Sequence, residues 1–162
     1  RLEEEGDDFE PALDAFPYVI RRHLAPPAQE ATVRRWRKAG FRPTALIDIS
    51  DGLSSEVHHI CEAGDIGARL FAPTLPLHPE TRSVADHFGD DVDIYAFFGG
   101  EDYELLFTAK ESDLDALDDT TYTIIGEVTD ASEGVLVEQG DGTAVPMQPG
   151  GFDHFDDNGD AE

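Results

Sequence analysis

Apolar residues recur along this chain in short runs, and the spacing inside them switches between helical and strand-like periods. Tyr18 to Leu24, YVIRRHL, predicts a short helix stopped by Pro26 and Pro27, which have no N–H to continue it. QEATVRRWRKAG predicts a second helix, in which Ala31, Val33 and Trp36 give a partly apolar face and Gly40 fits the position just past the end. Its basic cluster, Arg34, Arg35, Arg37 and Lys38, reads either as an anion site or as cations complementing the helix dipole, the second being the simpler reading. ALIDI then looks like a short buried strand that meets a carboxylate at Asp48. From Asp51 the period changes: Leu53, Val57, Ile60 and Cys61 fall at helical spacing, and Gly64 ends the run.

Further along, IGARLFA predicts a second strand, and LPLHPETRSVADHFG a Pro-bounded loop followed by a helix around Thr81 to Phe88. VDIYAFF fits a helix or a strand. Gly99-Gly100 break the chain before YELLFTA, a strand, and SDLDAL suggests a short helix capped by Ser112. YTIIGEVT and GVLVEQ predict strands on either side of a turn at DASEG, and GDG turns the chain into TAVPM. Strands and helices alternate imperfectly, so the expected fold is α+β with α/β-type layers: a mixed β-sheet with helices packed on it. Residues 1–16, acidic and carrying Gly6 and Pro11, read as a linker; 17–155 read as one domain, and 156–162 as a disordered acidic tail.

Charge narrows the partners. Asp and Glu number 36 against 11 Lys and Arg, a formal net charge of -25 over 162 residues. Such a field repels nucleic acid and anionic membrane surfaces. The acids lie along the whole chain between apolar segments, which fits an acid-coated globular surface adapted to high salt better than an acidic tail alone. Stability is then expected to rise with molar salt. Cys61 stands alone, so no internal disulfide forms and secretion gains no support. No apolar run approaches the roughly 20 residues that span a bilayer. The start RLEEEGDDF has no signal-like segment and reads as a piece of a longer cytoplasmic protein.

Two segments carry candidate chemistry. In DISDG, Asp48 ends a strand, where open sheets collect ligands, and Ser50 or Asp51 is placed to cap the following helix with Gly52 in its first turn. Hard carboxylate oxygens beside a helix N-terminus suit Mg²⁺ bridging to a nucleotide phosphate. A plain capped helix accounts for the same residues and, from this motif alone, is the preferred reading. An EF-hand loop does not fit, because Gly52 is the fifth residue counted from Asp48 rather than the sixth. In GGEDYELLF, two glycines allow close backbone approach, and Glu101, Asp102 and Glu104 follow at once. That segment reads as a site for a cationic or hydrogen-bond-donating ligand, or as a polar turn in an acidic protein. His58 and His59 are adjacent on a helix and point apart, and no histidine pair has zinc spacing. FGDDVD reads as a solvated turn. No Walker loop and no G-x-S-x-G is present.

Taken in order, ALIDISDGLSSEVHHI, GARLFAPTLPLH, GGEDYELLFT, IGEVT and GFDHF resemble the C-terminal domain of the thiamine-monophosphate kinases, within the aminoimidazole ribonucleotide synthetase superfamily. The resemblance runs from about Ala45 to Phe155; IDISDGL is shared more loosely across the superfamily, whereas GGEDYEL with GFDHF is much more specific to the kinases. It implies the fold of that C-terminal domain and transfer of the ATP γ-phosphoryl group to thiamine monophosphate, giving thiamine diphosphate. No side-chain nucleophile is implied, because the acceptor is itself a phosphate. By the same resemblance, Asp48 and Asp51 would be Mg²⁺ ligands, Ser50 would lie beside the ATP phosphates, and Glu101 and Phe152 would contact thiamine monophosphate. The physics agrees, since thiaminium is a cationic aromatic suited to a carboxylate and an aromatic face.

The family's N-terminal domain, with its Gly-Asp-Asp metal motif, most nucleotide contacts and the dimer interface, has no counterpart in this sequence. The resemblance therefore implies a homodimer for the whole protein and an inactive fragment by itself. Two alternatives stand beside the kinase: another ATP-dependent synthetase of the superfamily, and a non-catalytic acidic binding module.

Overall fold

A computed structural model describes residues 15–118 and 121–150. Most of the proposed linker, the acidic tail and Phe152 lie outside the described residues.

The chain opens with α1 (Pro17–Leu24) and α2 (Glu30–Ala39). Proline at the first position starts α1, and Gly40, at φ 77°, ends α2 in the left-handed conformation. The apolar face of α2 is narrower than its sequence suggests. Only Trp36 is buried; Ala31 and Val33 face solvent. The basic cluster is exposed along the same helix, with Arg34 paired to Glu30 one turn earlier. Trp36, Phe41 and Phe107 pack edge to face, with ring centroids 4.9–5.6 Å apart, and anchor α2 on the strand that contributes Phe107.

The sheet divides in two. Strand β1 (Ala45–Asp48) pairs antiparallel with β3 (Leu105–Thr108) in a two-stranded ribbon. The other sheet has the order β4-β2-β5-β6, built from β2 (Ile66–Phe71), β4 (Gly126–Asp130), β5 (Val135–Glu138) and β6 (Ala144–Pro146). Its β2–β5 pair is parallel and its other pairs antiparallel, so the sheet is mixed as expected. Gly126 lets β4 lie close on β2, since a Cβ there would sit 2.3 Å from the Arg69 carbonyl oxygen. The strand expected from YTIIGEVT starts only at this glycine, and Ile125 adds a single carbonyl bond to the Phe71 amide.

Helix α3 (Leu53–Gly64) packs against strands of both sheets. Its Leu53, Val57, Ile60 and Cys61 join Ala68, Leu70, Leu106, Val135 and Val137 in one core. Removing a side chain such as Leu53 would cost about 2–5 kcal/mol through lost burial and the cavity left behind. Helix α4 (Pro79–Phe88) ends at Gly89, and α5 (Val92–Phe98) resolves the ambiguity of VDIYAFF in favour of a helix. Asp91 caps α5 by accepting from the Asp93 amide, which gives FGDDVD a structural role between two helices. The one-turn α6 (Glu111–Leu114) begins after Lys110, so Ser112 lies inside it and is not its cap. No helix among the described residues is long and apolar enough to cross a membrane.

Candidate functional site

Strand β1 does not stop pairing at Asp48. The ladder that sets Asp48 opposite Leu105 continues as Ile49 N–H to the Glu104 carbonyl at 2.9 Å and Tyr103 N–H to the Ile49 carbonyl at 2.8 Å. It ends with Glu101 N–H on the Ser50 carbonyl, also 2.8 Å. DISDG and GGED, some fifty residues apart in sequence, are thus one hydrogen-bonded pair of loops. Gly100 is needed for the close approach, because a Cβ there would stand 2.5 Å from the Ser50 carbonyl oxygen. Gly52, at φ 117°, faces the backbone of α5, with the Phe97 carbonyl oxygen 3.0 Å from where its Cβ would be.

The start of α3 corrects the expected cap. Gly52 is the N-cap, and neither Ser50 nor Asp51 caps the helix. Glu56 does the corresponding work from inside. Its Oε1 accepts from the Asp51 amide at 3.0 Å, the Ser50 amide at 3.3 Å and the Ser50 hydroxyl at 3.4 Å. Glu56 is only 2% exposed, and its Oε2 has no hydrogen-bond partner. The sequence reading passed over this residue, although a signal existed: Leu53, Glu56, Val57 and Ile60 form one helical stripe, and a carboxylate inside an apolar stripe calls for a partner.

The opposite loop is held from outside. Arg22 of α1 donates to the Asp102 carbonyl at 3.1 Å and to the Glu104 carboxylate at 2.6 Å. Gln29 donates to the other Glu104 oxygen at 2.9 Å. Glu80 of α4 fixes α1 in turn, accepting from the Tyr18 and Val19 amides at 2.7 and 3.2 Å. Within the loop Glu101 and Tyr103 adopt positive φ, 68° and 51°, a conformation unfavourable for side-chain-bearing residues and common where a ligand site stores strain.

Acid groups crowd this corner. Asp48, Asp51 and Glu101 are exposed, and Ser50 is half-buried. The Tyr103 hydroxyl donates to Glu101 Oε2 at 3.1 Å. That bond, then the Glu101 charge, then desolvation and the charges of Asp48 and Asp51 hold the phenol above its usual pKa. One hydroxyl therefore senses three of the candidate carboxylates. Asp102 is exposed at the surface, yet neighbouring protein desolvates its carboxyl enough to raise it to about 6. Arg22 opposes that rise, and the charges of Glu104 and Glu56 reinforce it.

As a metal site the arrangement is partial. Among the described residues no three His, Cys, Asp or Glu side chains converge on one point. Two exposed carboxylates three residues apart in sequence, Asp48 and Asp51, still fit the chemistry of Mg²⁺, which takes one or two from protein and fills its octahedron with water and phosphate oxygens. His58 and His59 are otherwise engaged: His58 lies between the carbonyls of Ser54 and Met147, at 2.7 and 3.1 Å, and His59 contacts the Ser55 hydroxyl at 3.4 Å.

Comparison with known proteins bears on the same segments. The family described as AIR synthase related protein, C-terminal domain, matches residues 2–138. The thiamine-monophosphate kinase of Aquifex aeolicus is 36% identical over 152 residues, covering 94% of this chain and 44% of that protein. The Escherichia coli K12 thiamine-monophosphate kinase is 36% identical over 145 residues, covering 85% of this chain and 42% of that protein. The solved structure of AaThiL complexed with AMPPCP and TMP superposes with a TM-score of 0.72 at 33% identity, covering 95% of this chain and 45% of that one. The chain thus spans less than half the length of the curated relatives it matches.

Proposed function

The chain belongs to the AIR synthase related protein, C-terminal domain family, and on that premise we propose that it is the C-terminal part of a cytoplasmic kinase that transfers the ATP γ-phosphoryl group to thiamine monophosphate. The observation that carries this reading is the continuous backbone pairing of DISDG with GGED, which puts a candidate cation corner beside a candidate substrate corner. The likeness to thiamine-monophosphate kinases over most of the chain supports it, and favours it over a synthetase or a passive binding module.

Asp48 and Asp51 would hold a divalent cation, with Ser50 between them at the ATP phosphates. Bound there, Mg²⁺ would neutralise charge on the transferring phosphoryl group. Glu101 would face the cationic thiaminium, and its bond from Tyr103 fixes the carboxylate while leaving lone pairs for a ligand. Phe152, outside the described residues, would supply an aromatic face. The remaining metal ligands and nucleotide contacts would come from an N-terminal domain, with the whole protein a homodimer.

The test is phosphoryl transfer in the full-length protein. Asp48→Asn with Asp51→Asn should lower turnover at least a hundredfold. Glu101→Gln should raise the KM for thiamine monophosphate several-fold more than that for ATP. Wild-type protein that forms no thiamine diphosphate would refute the reaction. Unchanged turnover in the double variant would refute the metal ligands.

A further inference from the structure

Among the described residues, the only carboxylate with a buried, unpartnered oxygen lies directly behind the proposed cation corner. Glu56 is 2% exposed, shares its helical stripe with Leu53, Val57 and Ile60, and has one oxygen loaded with three donors while the other has none. Burying an ionised carboxylate costs several kcal/mol unless hydrogen bonds compensate it, and an apolar side chain of similar size would often be at least as stabilising. Core packing alone therefore gives little account of a glutamate here.

The donors it takes point to its role. Amides just before a helix are natural donors to a phosphate. In this fold the Ser50 and Asp51 amides turn inward to Glu56, so they are not presented to an anion. The Ser50 hydroxyl also spends its hydrogen on Glu56, which leaves oxygen lone pairs for the other side. With the amides turned away, the exposed carboxylates of Asp48 and Asp51 on the solvent side of the turn favour a cation.

We propose that Glu56 is a positioning residue: by claiming the Ser50 and Asp51 amides it converts the start of α3 from an anion-binding turn into one that presents Asp51 to a divalent cation. Phosphate then reaches this corner through the cation and not through the loop amides. The proposal rests on the kinase reading for its physiological setting, but its geometry is tested separately.

The experiment compares Glu56→Gln and Glu56→Leu in the full-length protein. Exchange of backbone amides in the peptide spanning residues 46–53 is followed by mass spectrometry, and Mn²⁺ affinity is measured without nucleotide. Gln keeps a carbonyl oxygen that can accept the same amides, so protection should stay within twofold of wild type and Mn²⁺ affinity within threefold. Leu should preserve the melting temperature within a few degrees, speed loop exchange at least tenfold and weaken Mn²⁺ tenfold or more. In turnover assays the Mg²⁺ requirement should rise in Glu56→Leu while the KM for thiamine monophosphate changes less than twofold.

Wild-type loop protection and Mn²⁺ affinity in a folded Glu56→Leu would overturn the proposal. If that variant does not fold, Glu56→Gln decides: a tenfold loss of Mn²⁺ affinity with the loop still protected would overturn positioning in favour of a pure charge effect. A wild-type protein without thiamine-monophosphate-dependent turnover would fail the kinase reading, yet the exchange and Mn²⁺ measurements would still judge Glu56.

Discussion

The two loops of the site are neighbours in one ladder and are held in opposite ways. DISDG is fixed from within the core, by a carboxylate that solvent hardly reaches. The segment from Gly99 to Glu104 is fixed from the surface, by Arg22 on α1 and Gln29 just before α2, and it contains Glu101 and Tyr103 at positive φ. An internal anchor in a low-dielectric setting is insensitive to salt. An external one exchanges with water and is weak, about 0–1 kcal/mol for an exposed pair. The difference suits a division of labour in which the proposed cation corner is preset and the proposed substrate corner adjusts.

The comparison is broken most severely at the point where the loops touch. Gly100→Ala would place a Cβ 2.5 Å from the Ser50 carbonyl oxygen, and backbone cannot yield as a flexible side chain does. The expected loss is about 1–3 kcal/mol, as for other overpacked sites, together with rapid exchange in both loops, measured by thermal melting and amide exchange. If Gly100→Ala loosens only one loop, the ladder does not couple them.

A smaller effect separates the loops by pH. Asp102 in the folded protein titrates at about 6, above its ordinary 3.8. A raised pKa means the folded state holds the proton more tightly, so this contribution to stability is full below about pH 4 and is lost as pH rises through 6. Asp102 is partly exposed, so solvent screening keeps the contribution to about 1 kcal/mol or less. Asp102→Asn should remove this fall between pH 4 and 6 in denaturant titrations, with exchange at DISDG unchanged. A wild-type slope in that variant would reject the assignment.

Much of this arrangement is legible in the sequence. The helical stripe from Leu53 and the break at Gly99-Gly100 locate both loops, and Asp48 does end a strand as alternation predicts. The partnership between the loops is not legible, because pairing at a separation of some fifty residues leaves no local period. The cap differs from the expected one for a definite reason. Ser50 and Asp51 are good N-cap residues by type, but a glycine at φ 117° and an acid four residues into the helix took that work. The single sheet expected from alternation is two, a ribbon and a four-stranded sheet, and α3 packs on strands of both.

The last contrast is in salt, where two effects oppose each other. A net charge of -25 favours expansion, and salt should stabilise the fold by screening that repulsion, visible as a rise in melting temperature from low to molar salt. The same screening weakens the Arg22–Glu104 pair, whose members are 22% and 52% exposed, and leaves the Glu56 contacts almost untouched. Arg22→Ala should therefore destabilise by about 1 kcal/mol or less at low salt, and Asp102 should titrate higher still, because the cation that opposes its rise is gone. The stability gap between Arg22→Ala and wild type should narrow as salt is added, even while both proteins become more stable. At molar salt only the exchange rate of the GGED loop should distinguish them, while DISDG exchanges as in wild type. A gap that stayed constant across the salt series would mean that Arg22 acts through its packing and its carbonyl contact, and that the outer loop is held no more loosely than the inner one.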